Sequence, residues 1–382
     1  RCRHLAMVQG KAGGMTPLEQ QIIETIRQDG PLPLDRYMTL CLAHPEHGYY
    51  MSRDPFGRGG DFTTAPEITQ MFGELIGIWC VSSWQTLQAP DPFHLVELGP
   101  GRGTLMADLL RAAKVMPGFH DSVHVHMIET SPVLRAVQEK TLAGIGLGVE
   151  WHEDIGSLPR EASIIIGNEF FDALPVQQIQ RSEAGWHERM VGLDESGQLQ
   201  IGLASDHVPD AIVPDWARDA EPGEIAEIGP VRADYAGRLA RHVADCGGAM
   251  LLIDYGHTRS GTGDTLQAVS RHNSVDILHE PGECDLTAHV DFAALETCFK
   301  VAGLTTYGPV TQSRFLAGMG IAERMEMLTK RGGARERMKI AEAARRLVAG
   351  TEMGHLFKVL MATHADMPAP QPFAQMEKEA MR

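Results

Sequence analysis

The stretch ELGPGRGT, Glu97 to Thr104, stands between an apolar run, FHLV (93–96), and LMADLLRAA (105–113). Gly99, Gly101 and Gly103 alternate with single residues, and a carboxylate, Glu97, stands two positions ahead of the first glycine. The pattern predicts a strand, a tight turn and the start of a helix. A dinucleotide fingerprint would need glycine where Thr104 stands. A phosphate-cradling P-loop would need a lysine that the stretch lacks. What remains is a turn whose missing side chains let a ligand approach the backbone.

Outward from the turn, strand and helix signals alternate. HLVEL (94–98), VHVHMIE (123–129), VEWHE (149–153) and SIIIGNEF (163–170) predict strands, with TLMADLLRAAK and SPVLRAVQEKTL as helices between them. This rhythm implies a parallel sheet covered on both faces. Residues 176–224 break it and predict a polar β-meander, with turns at EAG and DESG. GPVRADYAGRLARHVA, GGAMLLIDYG and AHVDFAALETCFKVAG then resume helix, buried strand and helix. Upstream, Thr16, Pro17 and Glu19 predict a capped helix start, and TAPEITQMFGELIGIWCVSSWQ predicts an amphipathic helix with Ile68, Met71, Phe72, Leu75, Ile78 and Trp79 on its buried face. Four segments follow: 1–90 as an N-terminal helical or lid segment, 91–175 as the ligand-binding core, 176–224 as an inserted β-rich subdomain, and 225–382 as the rest of the core with C-terminal helices.

Carboxyl ends of parallel strands face the ligand crevice. Glu129 ends the second strand, where doubly wound nucleoside binders place an acid for the ribose hydroxyls, and Asp154 ends the third. The fourth ends in GNEFFDALP, putting Asn168, Glu169 and Asp172 at the crevice or, alternatively, at a helix N-cap.

The 382-residue chain is 43% hydrophobic and 22% charged, with a formal net charge of −16. That acidity argues against a general nucleic-acid binder. Cys2, Cys41, Cys80, Cys246, Cys284 and Cys298 form no CxxC pair, so a reducing compartment is expected. No apolar run reaches the length of a membrane span. No metal is expected: His44 and His47 of HPEH, and His124 and His126 of HVH, lack further ligands at suitable spacing. Arg1–Gly14 carries Arg1, Arg3 and Lys11 without an acid, as a transit remnant, a tag or an overextended start would, and Met15 is the better beginning.

The [ED]-x-G-x-G-x-G pattern resembles motif I of class I S-adenosylmethionine methyltransferases, in which the cofactor straddles the turn. Glu97 would then orient the methionine amino group or a bridging water. GYYMSRDPFGRGGDFTTAPEITQMFGELIGIW, VELGPGRGTLMADLL, NEFFDALPVQQ, LLIDYG and GECDLTAHVDF, in that order, extend the likeness to most of the chain from Met15. The sequence resembles the MidA-like methyltransferases, whose mitochondrial member is of the complex I assembly factor 7 type. The resemblance implies a class I, Rossmann-like α/β fold with S-adenosyl-L-methionine as cofactor. It implies protein arginine methylation, in mitochondria on the quinone-site subunit of complex I. It places the chain in the matrix if eukaryotic and in the cytoplasm if bacterial.

Glu97, Gly99, Pro100, Gly101 and Gly103 match the family's cofactor turn, and HGYY (47–50) and GDFTTAPE (60–67), with Gly48 and Thr64, are expected to close over the cofactor. The loop 48–64 is either a lid or a static, ring-filled loop, and Glu67 belongs to that signature or to a capping box with Thr64. A charged guanidinium needs carboxylates to localise its charge. Glu169 and Asp172 are the candidates, with Glu283 and Asp285 as a second pair and His289 as proton acceptor. Two other readings stay open: methylation of a small molecule or lipid, and a non-catalytic chaperone that binds the cofactor.

Overall fold

The computed structural model describes residues 14–55, 64–330 and 333–380. The described chain begins with helix Pro17–Asp29, β1 (Leu32–Pro33) and helix Leu34–Ala43. The first helix is capped as its sequence indicates: Thr16 Oγ1 accepts the Glu19 N–H at 3.0 Å, and the Glu19 carboxylate accepts the Thr16 N–H at 3.4 Å. Four strands follow, β2 (Phe93–Leu98), β3 (Val123–Ile128), β4 (Val149–His152) and β5 (Ser163–Asn168). The meander supplies β6 (Gln177–Arg181), β7 (Trp186–Leu193), β8 (Leu199–His207) and β9 (Ile225–Ile228). Then come β10 (Gly248–His257), β11 (Gln267–Ser270), β12 (Asn273–Val275), β13 (Asp285–Thr287), β14 (Val290–Asp291), β15 (Thr305–Thr311) and β16 (Phe357–Thr363).

The main sheet has the order β15-β16-β10-β5-β2-β3-β4, with β14 beside β10. Its neighbours are parallel except around β16, which runs antiparallel to β10 and β15. The chain moves from β2 outward to β3 and β4, then returns to pair β5 on the other side of β2. The switch in strand order therefore lies between β2 and β5, where a crevice opens beyond the carboxyl ends. The glycine turn leaves β2 there, and the Glu169–Asp172 turn leaves β5 beside it.

Every residue of β2 and of β5 is buried, as expected of strands covered on both faces. Along β2, Leu95 enters the core that includes helices Gln70–Thr86 and Thr104–Ala113. Val96 and Leu98 enter the opposite core, with helices Pro230–Cys246 and Phe292–Val301. The second sheet runs β1-β7-β6-β9, with β8 on the far side of β7. It takes one strand from the N-terminal segment and another, β9, from beyond residue 224. The N-terminal helices cover it, so that Leu18, Ile22 and Met38 pack with Val191 and Leu286.

The expected amphipathic helix is two helices, Ala65–Ile68 and Gln70–Thr86, separated by Thr69 in an extended conformation. The second is enclosed on most sides, and Ile78, expected on the buried face, is 42% exposed. Gly73 and Gly77 explain the enclosure. They let helix Thr104–Ala113 approach so closely that a Cβ at Gly77 would lie 2.6 Å from the Leu109 carbonyl oxygen. An exposed helical Gly→Ala gains about 1 kcal/mol, but a clash with backbone reverses the sign. Gly77→Ala is expected to destabilise the chain by about 1–3 kcal/mol in urea unfolding, and a variant more stable than the parent would contradict this packing.

Candidate active site

The glycine turn owes its shape to three left-handed residues: Gly99, Gly101 and Gly103 have φ of 54°, 52° and 78°. At Gly99 a Cβ would lie 2.9 Å from the Phe170 ring. Gly99 and Gly101 form the ridge between two cavities of about 270 and 250 Å³. Glu169 also lines both. Gly103 lines neither. It starts helix Thr104–Ala113, and a Cβ there would meet Gln138 at 3.5 Å.

The larger cavity holds Glu129, with Ile128, Leu134, Phe170 and Tyr235 as apolar walls. Glu129 is buried and doubly held: Oε1 accepts the Ser131 N–H at 2.7 Å and Oε2 accepts the Gln138 side-chain amide at 2.9 Å. Burial raises its pKa. Gln138 also donates to the Gly101 carbonyl at 2.8 Å and accepts from the Trp151 indole at 2.8 Å. One buried amide thus ties the glycine turn to the carboxylate. The sequence offers no sign of this beyond a glutamine in an otherwise ordinary helix.

The second cavity is rich in acid. Among the described residues, Glu67, Glu97, Glu169, Asp172 and Asp285 line it against a single cation, Arg102. Pro100 and Thr64 belong to its wall. Burial pushes the Glu97 pKa up to about 8. Burial first, then the neighbouring Asp172, pushes Glu169 up to about 7. Glu169 Oε1 accepts the Asn168 side-chain amide at 3.1 Å and the Ala65 N–H at 3.2 Å. Asp172 is raised mainly by burial, opposed by a hydrogen bond from Tyr255 and by the Arg232 charge. Glu97 Oε2, Asn168 Oδ1 and Asp172 Oδ1 are buried acceptors with no partner among the described residues. Three such acceptors around one cavity suit a ligand that brings positive charge and N–H donors.

Several expected residues stand elsewhere. Asp154 turns away from both cavities, accepting from Gly156 N–H at 2.8 Å and pairing with Arg238; the neighbouring wall is Glu153. Gly48 is packed against the backbone of Leu42 and His44 rather than against either cavity. His289 lines a separate cavity with Glu227, His257 and Asp291. The Tyr255 ring stands 5.5 Å from its imidazole. His289 does not line the acidic cavity that Tyr255 and Asp172 face, so it is not placed to take a proton there. Glu283 pairs with Arg53 at 2.6 Å, while Asp285 faces the acidic cavity and accepts the Tyr50 hydroxyl at 2.8 Å. The expected capping box at Thr64 does not form, since its side chain makes no cap bond. Glu67 instead accepts the Thr104 hydroxyl at 2.5 Å. Of the expected lid, residues 56–63 lie outside the described residues; Tyr49 is fully buried. In HPEH, His44 Nδ1 accepts the N–H groups of Glu46 and His47 at 3.3 and 3.2 Å, a local turn cap.

Two further residues escaped the sequence reading. Asp254, in LLIDYG, aims Oδ2 at three successive N–H groups, those of Phe170, Phe171 and Asp172, at 3.2, 3.0 and 3.2 Å. Glu169, just before them, has φ of 50°, a strained value for a residue with a side chain. Arg232 is buried and donates to the carbonyls of Leu174, His289, Asp172 and Ala288. It therefore holds the Asp172 turn against the chain leading into β14.

Comparison with known proteins agrees with this geometry. The family of S-adenosyl-L-methionine-dependent methyltransferases matches residues 75–310. The mitochondrial protein arginine methyltransferase NDUFAF7 of Danio rerio is 36% identical over 89% of this chain and 84% of its own. Its counterpart from Homo sapiens, also named mitochondrial, is 36% identical over 82% and 76%. A crystal structure from Burkholderia thailandensis, with S-adenosyl-homocysteine bound, superposes with a TM-score of 0.81 at 28% identity over 94% of each chain. The glycine ridge, the strand order and this likeness across most of its length place the chain in one family: it is an S-adenosyl-L-methionine-dependent methyltransferase of the class I Rossmann-like fold.

Proposed function

We propose that the chain transfers a methyl group to an arginine of a protein substrate, with the cofactor lying across the Gly99–Gly101 ridge. The observation that carries this reading is the acidic cavity, where the described residues supply five carboxylates, one arginine and three buried acceptors without a partner among them. The relatives named as protein arginine methyltransferases support it. Their mitochondrial names support a mitochondrial setting, and the family resemblance makes the quinone-site subunit of complex I the first acceptor to test.

In this reading Glu129 binds the ribose hydroxyls in the larger cavity, and Leu134, Phe170 and Tyr235 enclose the base. Glu97 and Glu67 face the methionine end. The cofactor supplies a methyl group on a positively charged sulfur. Glu169 and Asp172 hold the acceptor guanidinium in a fork and localise its charge, leaving one nitrogen free to attack in line. That nitrogen forms the new C–N bond as the C–S electron pair returns to sulfur. The proton it sheds goes to Glu169, whose pKa near 7 suits a base at neutral pH. Methylarginine stays charged, so the product differs in shape and donor count rather than in charge.

Incubation with methyl-labelled cofactor and candidate proteins, followed by mass spectrometry, is expected to place label on arginine. Label on a small molecule or lipid instead, or binding without transfer to any client, would refute the arginine reading. Glu169→Gln and Asp172→Asn are expected to lower kcat by about 100-fold or more while retaining cofactor affinity; near-normal turnover in both would remove them from the reaction. Glu129→Ala should do the converse, weakening the cofactor by about 10–100-fold in calorimetry, as loss of hydrogen bonds to a charged group does. Because Glu169 is raised to about 7, its ionised share grows with alkalinity. Activity toward a peptide acceptor should therefore climb between about pH 6 and pH 8 and level off above. A profile that falls over this interval would exclude an ionised Glu169 as the base.

A further inference from the structure

We propose that His126, Glu150 and His152 form a binding site for a divalent first-row transition metal, zinc by preference. The sequence gives no ligand spacing for it, because the ligands come together through strand register rather than along one segment. His126 of β3 stands opposite Glu150 of β4, and His152 follows two residues on, opposite Ile128. All three side chains leave the same face of the sheet. His126 Nδ1 lies 2.9 Å from His152 Nε2 and 4.0 Å from Glu150 Oε2, and the three ligand atoms all fall within 4.8 Å of one another. Zinc holds such nitrogens and oxygens at about 2.0–2.2 Å, so a small opening of the histidine pair accommodates the ion.

The hydrogen-bond inventory shows what the pair needs. At one end, the Glu161 carboxylate can only accept, so His94 presents Nε2–H to it at 3.3 Å. His94 Nδ1 is then a lone pair, and it accepts from His126 Nε2–H at 2.8 Å. At the other end, Ser157 Oγ donates to the Asp154 carbonyl at 2.8 Å. Ser157 therefore accepts from His152 Nδ1–H, also at 2.8 Å. Protons run outward from the centre in both directions, and His126 Nδ1 and His152 Nε2 are left facing each other as two lone pairs. A proton on the His126 side would make an imidazolium at a position 1% exposed, with another imidazole, His94, already against it. A divalent cation satisfies both lone pairs at once and adds Glu150 as a third ligand.

The surroundings fit a metal site. His126 is oriented by a carboxylate–histidine relay, Glu161 to His94 to His126, the arrangement that fixes the tautomer of metal-bound histidines. Glu150 is solvent-exposed, with 67% of its side chain accessible, so an ion can enter and a water can complete a tetrahedron. The carbonyl of His152 accepts the Glu129 N–H at 2.8 Å, so the metal would brace β4 directly behind the Glu129 cavity.

The test uses the full chain, stripped with a chelator and dialysed against zinc chloride, with bound metal counted by mass spectrometry. About one zinc per chain is expected. His152→Gln and, independently, the exposed Glu150→Gln should each lose most of it, with folding checked by circular dichroism. Glu161→Gln keeps all three ligands and should weaken binding by about 10–100-fold. Failure of the parent chain to retain zinc, or equal retention by both ligand variants, would overturn the site.

Discussion

The crevice depends on one buried carboxylate. Asp254 sits at the carboxyl end of β10 and collects three consecutive N–H groups from the turn after β5. Without it, those donors would be buried and unmatched, each at a cost of about 1–3 kcal/mol. With it, the chain can reverse at Glu169 in a left-handed conformation and place Asn168, Glu169 and Asp172 together on the acidic cavity. The same turn swings Phe170 against Gly99, which closes the gap between the two strand ends. Burial and the neighbouring Asp172 and Glu169 push the Asp254 pKa up, opposed by the amide hydrogens and the Arg232 guanidinium. The turn and its charge balance are therefore one structure.

Arg232 completes that balance. It is a buried cation beside Asp172 and Asp254, yet its donors go to backbone carbonyls rather than to either carboxylate. Its charge moderates the acids while its geometry fixes the chain from Leu174 to His289. This explains why His289 serves as scaffold. Its carbonyl is taken by Arg232 and its N–H donates to Thr265 Oγ1 at 2.9 Å, which carries the imidazole into the neighbouring cavity.

What the sequence revealed and what it hid follow from the range of each interaction. The alternation of β2 to β5 with their helices, the glycine turn and the capped first helix are written in short segments, where periodicity and local stereochemistry suffice. The acids Glu129, Glu169 and Asp172 were legible because strand ends face the crevice in any sheet of this kind. Asp154 obeyed the same rule of position, but a 3-10 turn and Arg238 draw its side chain elsewhere. Asp254 and Gln138 act on turns that are distant in sequence, so nothing near them marks their role. The enclosure of helix Gln70–Thr86 was hidden for a similar reason: Gly73 and Gly77 read as weak helix formers until the partner helix is in place.

The acidity of the cavity has a further physical rationale under the proposed arginine chemistry. Sulfonium and guanidinium each carry one positive charge and must approach to reacting distance. At 4 Å and an effective dielectric constant of about 20, their repulsion is about 4 kcal/mol. Neutral walls would add desolvation to that cost. Carboxylates ranged around one cavity offset it for both cations. As the methyl group moves, the positive charge on sulfur passes with it to the attacking nitrogen and leaves as the proton that Glu169 takes, so the repulsion is relieved while Asp172 still faces a charged guanidinium. An environment that tolerates two cations in the ground state and needs to hold only one afterward favours the forward transfer. The raised pKa values of Glu97 and Glu169 belong to the same arrangement: burial, joined at Glu169 by the neighbouring Asp172, makes these acids hold protons that an arriving cation would displace.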